Sequence, residues 1–189
     1  MKRRYIASMM IASASIFVVG ITPAAQERFT LRSPNGIAFS EFKGYDKWQM
    51  IASSQPDDAS GCGTATDPGC IKAILGNPVM IKAYRDGIPA NGKSVPDGAK
   101  IAVIEWQKNR PAQAYGVTVP GTLAEVSFMV KSPKRFPDTN GWGWATFRYD
   151  AASDTFRPFG DSPAFAKTCH ECHAGAKARD FVWTSYPKR

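Results

Sequence analysis

Five residues near the C-terminus, Cys169-His170-Glu171-Cys172-His173, have the types and the spacing to do chemistry. C-x-x-C-H is the attachment pattern of c-type haem. Two thiols three residues apart can each bond one vinyl group of the same porphyrin, and the next His then lies under the iron. On this reading Cys169 and Cys172 tether a single haem c, and His173 is the proximal iron ligand. Three other chemistries fit less well. A thioredoxin-like pair belongs beside a βαβ pattern, which this part of the chain lacks. A structural zinc site needs four protein ligands, and the two other cysteines, Cys62 and Cys70, are not spaced as a knuckle. A plain Cys169–Cys172 disulfide ranks below haem because of the export signal at the other end of the chain.

That signal is Met1-Lys2-Arg3-Arg4, followed by an apolar run to Ile21 and by Thr22-Pro23-Ala24-Ala25. Basic residues, an apolar stretch and small residues in this order read as a secretory signal peptide cut within Ala24 to Gln26; an uncleaved anchor is the alternative. The chain of 189 residues is thereby divided into a signal peptide (1–25), an N-terminal arm (26–47) and one mono-haem domain (48–189). The expected location is the periplasm, whose oxidising chemistry leaves Cys62 and Cys70 free to pair as a disulfide. Closing so short a loop is worth about 2–3 kcal/mol. The formal charge of +8 loses three basic residues with the signal peptide, and the remaining charges are interspersed, which argues against nucleic-acid binding.

The elements that position the motif are mostly strands. Strands are expected at Trp48–Ser53, Ala99–Trp106, Leu123–Lys131, Trp142–Tyr149 and Thr155–Pro158, with a further short apolar run at Ile71–Leu75. A helix is expected over Val79–Asp86, capped by Asn77 with Pro78 in its first turn and stopped at Gly87. Ser162-Pro163 repeats that start signal, so the segment entering Cys169 reads as a helix. Ser54 to Gly69 reads as a surface loop. Phe181–Thr184 reads as an apolar segment that covers the porphyrin or finishes a strand. The fold class is α+β, mainly an antiparallel sheet with a few short helices, the last of which carries the haem site.

Together with C-x-x-C-H, the segments Leu75-Gly76-Asn77, Ala83-Tyr84-Arg85-Asp86-Gly87, Pro96-Asp97-Gly98-Ala99-Lys100-Ile101-Ala102, Ile104-Glu105-Trp106 and Gly141-Trp142-Gly143-Trp144 resemble the cytochrome P460 family in order and spacing. The resemblance runs from Trp48 to Trp183. It implies a β-rich homodimer with five-coordinate haem, open to ligands on the side opposite His173. In that family, proteins with the P460 chromophore oxidise hydroxylamine and some oxidise nitric oxide, whereas the related β-fold cytochromes c′ bind nitric oxide without that activity. The family's Lys that bonds to the porphyrin edge falls at Val103 here. Valine has no amine, and strand alternation sends Lys100 to the opposite face. The resemblance therefore implies an uncross-linked haem, with Val103 a wall residue of the distal pocket.

The residues themselves also favour an open site, since the only other His, His170, lies inside the attachment motif. Met50, Met80 and Met129 are the remaining candidates for a sixth ligand, and all three read as core packing. Trp142 and Trp144 share one strand face, Phe147 lies on the other, and at most one of Trp144 and Phe147 lines the pocket. Three functions compete: a binder of small nitrogen-oxide ligands, a hydroxylamine- or nitric-oxide-oxidising enzyme, and a periplasmic electron carrier with a redox partner.

Overall fold

The computed structural model describes residues 27–56, 69–109 and 116–188. The signal peptide, most of the Ser54–Gly69 loop and Cys62 lie outside the described residues. Six strands follow one another in a single antiparallel sheet in the order of the chain. They are β1 (Gln49–Ser54), β2 (Cys70–Gly76), β3 (Lys100–Asn109), β4 (Val119–Lys131), β5 (Trp142–Asp150) and β6 (Thr155–Pro158). Helix α1 (Pro78–Arg85) lies between β2 and β3, and helix α2 (Phe165–His173) follows β6.

α1 begins as its sequence dictates. The Asn77 side chain accepts a hydrogen bond from the Met80 amide at 3.0 Å, and Pro78 occupies the first turn where no amide is needed. The same Asn77 oxygen also accepts from the Lys100 amide at 3.0 Å, so the cap ties the helix to the start of β3. α2 departs from the expected pattern. It starts at Phe165 with no side-chain cap among the described residues, and the Ser162 and Pro163 carbonyls accept from the Phe165 and Ala166 amides, each at 3.2 Å. Ser162-Pro163 is a turn leading into the helix, not its cap.

Alternation along the strands divides the core in two. One face carries Phe128, Phe147, Val126 and Ala102, covered by Phe39, Phe42 and Tyr45 from the N-terminal arm. The arm is built of short 3-10 turns, Arg28–Thr30, Phe39–Phe42 and Tyr45–Lys47. Its apolar residues close the back of the sheet, with Phe42 stacked on Phe128 at 4.0 Å. The other face carries Ile74, Ile101, Met129, Trp142 and Trp144, packed with Met80, Ile81 and Tyr84 of α1 and with Phe181 and Val182 from the C-terminus. Met80 and Met129 are core residues, whereas Met50, expected in the core, is 41% exposed on the edge strand. An edge strand has only one neighbour, so a residue there need not be covered on both sides.

Candidate haem site

Cys169, Cys172 and His173 lie on one side of α2 because helix positions i, i+3 and i+4 stack on one face. All three line a cavity of about 440 Å³ between the helix, the C-terminal segment Val182–Thr184 and the second sheet face. That volume falls in the usual range for cofactor sites, roughly 300–1,000 Å³. The sheet contributes successive cross-strand rows. The first is Ile101, Met129 and Trp144; the next is Ile74, Val103, Ser127 and Thr146; beyond it lie Lys72 and Glu105. The row continues past the cavity wall through Glu125 and Arg148.

The His173 ring is fixed by its neighbours. Its Nδ1 lies 2.7 Å from the Phe181 carbonyl oxygen, which can only accept, so Nδ1 carries the proton and Nε2 keeps its lone pair. The Trp144 ring packs on it at 5.7 Å between centroids. Burial holds the His173 pKa below the usual histidine range, outweighing the Phe181 hydrogen bond, and His170 adds to the lowering. A metal ligand must be neutral imidazole, and this environment favours that form. Burial, with Cys172 beside it, pushes the Cys169 thiol up to about 11. It is held as a neutral thiol against the cavity, while Cys172 is exposed.

At the far wall Lys72 Nζ lies 3.0 Å from Glu105 Oε2. Glu125, the next residue along this row, has its pKa raised, first by burial and then by Glu105, against the opposing effects of Arg148, the Ser127 hydroxyl and Lys72. Ser127 and Thr146 hydroxyls are 2.9 Å apart in the middle row. The wall thus grades from apolar beside His173 to polar and charged at Lys72 and Glu105.

Val103 lines the cavity, and Lys100 lies on the opposite face, where its Nζ donates to the Glu41 carbonyl. Of Trp142, Trp144 and Phe147, Trp144 is the one that lines the cavity; Phe147 goes to the other core, and Trp142 donates from Nε1 to the Asp180 carbonyl at 2.8 Å. His170 turns away from the cavity, stacks on Phe181 at 4.7 Å and lines a separate cleft. Of the three methionines, Met129 is the one on the cavity wall. Phe181–Thr184 forms no strand; Val182, Trp183 and Thr184 line the cavity. Trp183 is 53% exposed and crosses Gly175 so closely that a Cβ there would stand 2.6 Å from the indole.

Lys72, Glu105, Ser127 and Thr146 are site residues that the sequence reading did not pick out. Alternation supplied the signal for two of them: Lys72 is two residues from Ile74, and Glu105 two from Val103. Which strand stands beside which could not be read the same way. Cys70 is buried at the start of β2, and its expected partner Cys62 is outside the described residues.

The donor set around the cavity suits a haem: two thiols, a neutral imidazole with a free Nε2, and an apolar wall beside it. A comparison with curated proteins gives no match. The family model for cytochrome P460 matches residues 42–184, three-quarters of the chain, from Phe42 of the back-face core to Thr184 at the mouth of the cavity. The protein therefore belongs to the cytochrome P460 family and is a P460-like haem protein.

Proposed function

We propose that the protein is an exported mono-haem c-type cytochrome that binds small nitrogen-oxide ligands such as nitric oxide at an open iron site. The observation that carries this reading is the convergence of Cys169, Cys172 and His173 on one cavity whose facing wall includes Val103 where the family places its cross-linking Lys. When bound, the haem supplies a ferrous iron that takes up a diatomic ligand. Cys169 and Cys172 hold it covalently, His173 ligates it through Nε2, and Val103 with Ile74 keeps part of the wall apolar. Cys62 and Cys70 form a disulfide, the signal peptide is removed near residues 24–26, and the mature protein works as a periplasmic homodimer with a redox partner.

Two other functions each have one residue in their favour. Hydroxylamine or nitric oxide oxidation gains from Lys72, an amine on the cavity wall, but Glu105 holds that amine in an ion pair. Electron transfer gains from Met129, the one methionine among the lining residues of the cavity. The deciding experiment is expression with haem-c maturation, followed by acid–acetone extraction, resonance Raman and nitric oxide titration. Haem that stays with the chain, high-spin five-coordinate iron and ready binding of nitric oxide to the ferrous protein are expected. A low-spin, nitric-oxide-inert ferrous protein would move the function to electron transfer. A third haem–peptide link with hydroxylamine turnover would move it to the oxidase. Haem that extracts away would remove the attachment itself.

A further inference from the structure

Lys131 and Asp180 form an ion pair that lies away from the cavity wall. Their side chains are 3% and 11% exposed, and Lys131 Nζ lies 2.9 and 2.8 Å from the two carboxylate oxygens of Asp180. The carboxylate also accepts from the Val95 amide at 2.7 Å and the Ser94 hydroxyl at 3.1 Å, while Lys131 donates to the Asn140 carbonyl at 2.9 Å and sits over the Trp142 ring. The pair sits on an unusual backbone turn. Asp180 and Phe181 both have left-handed conformations, φ 48° and 63°, which are uncommon for residues with a Cβ and rare for one as bulky as Phe. Such a pair persists only where surrounding contacts over-determine it. Here those contacts are the Lys131 ion pair on the Asp180 side chain, the Trp142 indole on the Asp180 carbonyl, and the Phe181 amide donating to the Ala176 carbonyl at 3.0 Å. The turn points the Phe181 carbonyl at His173 Nδ1, 2.7 Å away.

We propose that Lys131 and Asp180 are positioning residues for the proximal histidine. The ion pair locks the strained Asp180–Phe181 turn, the turn presents the Phe181 carbonyl, and the carbonyl sets the tautomer, orientation and donor strength of His173. Hydrogen bonding at the far nitrogen of a ligating His raises its basicity, so the pair tunes the iron from β4 without touching haem or ligand. This rests on the haem attachment proposed above.

Asp180→Asn tests it. Asn tolerates the left-handed conformation and still accepts from the Val95 amide, but it removes the charge opposite Lys131. In haem-loaded protein the expected result is a ferrous iron–histidine stretching band shifted to lower frequency and a reduction potential shifted upward, with haem content per chain unchanged. Lys131→Arg, which keeps the charge, is expected to retain the wild-type band. Should Asp180→Asn fail to accumulate because Lys131 is left unpaired, Lys131→Met combined with Asp180→Asn, which buries no lone charge, gives the same reading. A band and a potential at wild-type values in fully loaded variants would overturn the proposal. If the wild-type chain carries no haem, the attachment fails but this geometry is still testable. The His173 Nδ1–H signal in nitrogen-15 NMR should be sharp in the wild type and lost to exchange in Asp180→Asn, and equal signals in both would sink it.

Discussion

Lys72 on β2 and Glu105 on β3 face each other across neighbouring strands, Nζ to Oε2 at 3.0 Å, with Glu105 the more buried of the two. Removing only the cation leaves a buried carboxylate beside Glu125 without its nearest counter-charge. Lys72→Met is therefore expected to cost about 1–3 kcal/mol of unfolding free energy, and Lys72→Met with Glu105→Met to recover most of it, because an apolar pair carries no desolvation cost. Denaturant unfolding of both singles and the double measures the coupling. A Lys72→Met protein within about 0.5 kcal/mol of wild type would mean that the pair behaves as an ordinary exposed one.

Glu125 carries a pH prediction. Its folded-state pKa is raised above the ordinary 4.5, chiefly by burial, so ionising it costs more in the folded chain than in the unfolded chain. The stability associated with its neutral form is fully present below pH 4.5 and is lost as pH rises through the folded pKa. Glu125→Gln removes that loss. The variant should melt higher than wild type at pH 7, and the difference should shrink to nothing as the pH falls below 4.5. Melting curves across that range that stay parallel would contradict the assignment.

Phe42 tests the role of the N-terminal arm. Its ring is fully buried and stacked on Phe128 on the back of the sheet. Phe42→Ala should lower stability by about 3–5 kcal/mol, while the folded fraction keeps the wild-type optical spectrum because the haem cavity opens on the other face. A loss under 1 kcal/mol, roughly the size of an exposed substitution, would show that the arm is dispensable to the core.

Much of the site is readable from local pattern. The C-x-x-C-H spacing singles out Cys169, Cys172 and His173, and a helix at that point puts them on one face by its period alone. Strand alternation separates Val103 from Lys100, and Asn77-Pro78 marks the start of α1. These are short-range properties: each depends on residues a few positions apart, so the order of side chains along the chain is enough to deduce them.

Tertiary structure alone decided the rest, because it depends on which distant segments become neighbours. Lys72 joins the cavity wall only because β2 pairs with β3 in the register that sets Lys72 opposite Glu105. Trp144 and not Phe147 faces the cavity because the N-terminal arm covers the other side of β5, and nothing in an alternating strand says which face will be covered. The setting of His173 is the longest-range case. His173 acquires its hydrogen bond from a left-handed turn eight residues later, and that turn is held by Lys131, 49 residues away along the chain. A backbone conformation that local preference disfavours forms when buried charges and hydrogen bonds from elsewhere in the fold outweigh that preference. The pattern of Asp180 and Phe181 in the sequence gives no sign of it.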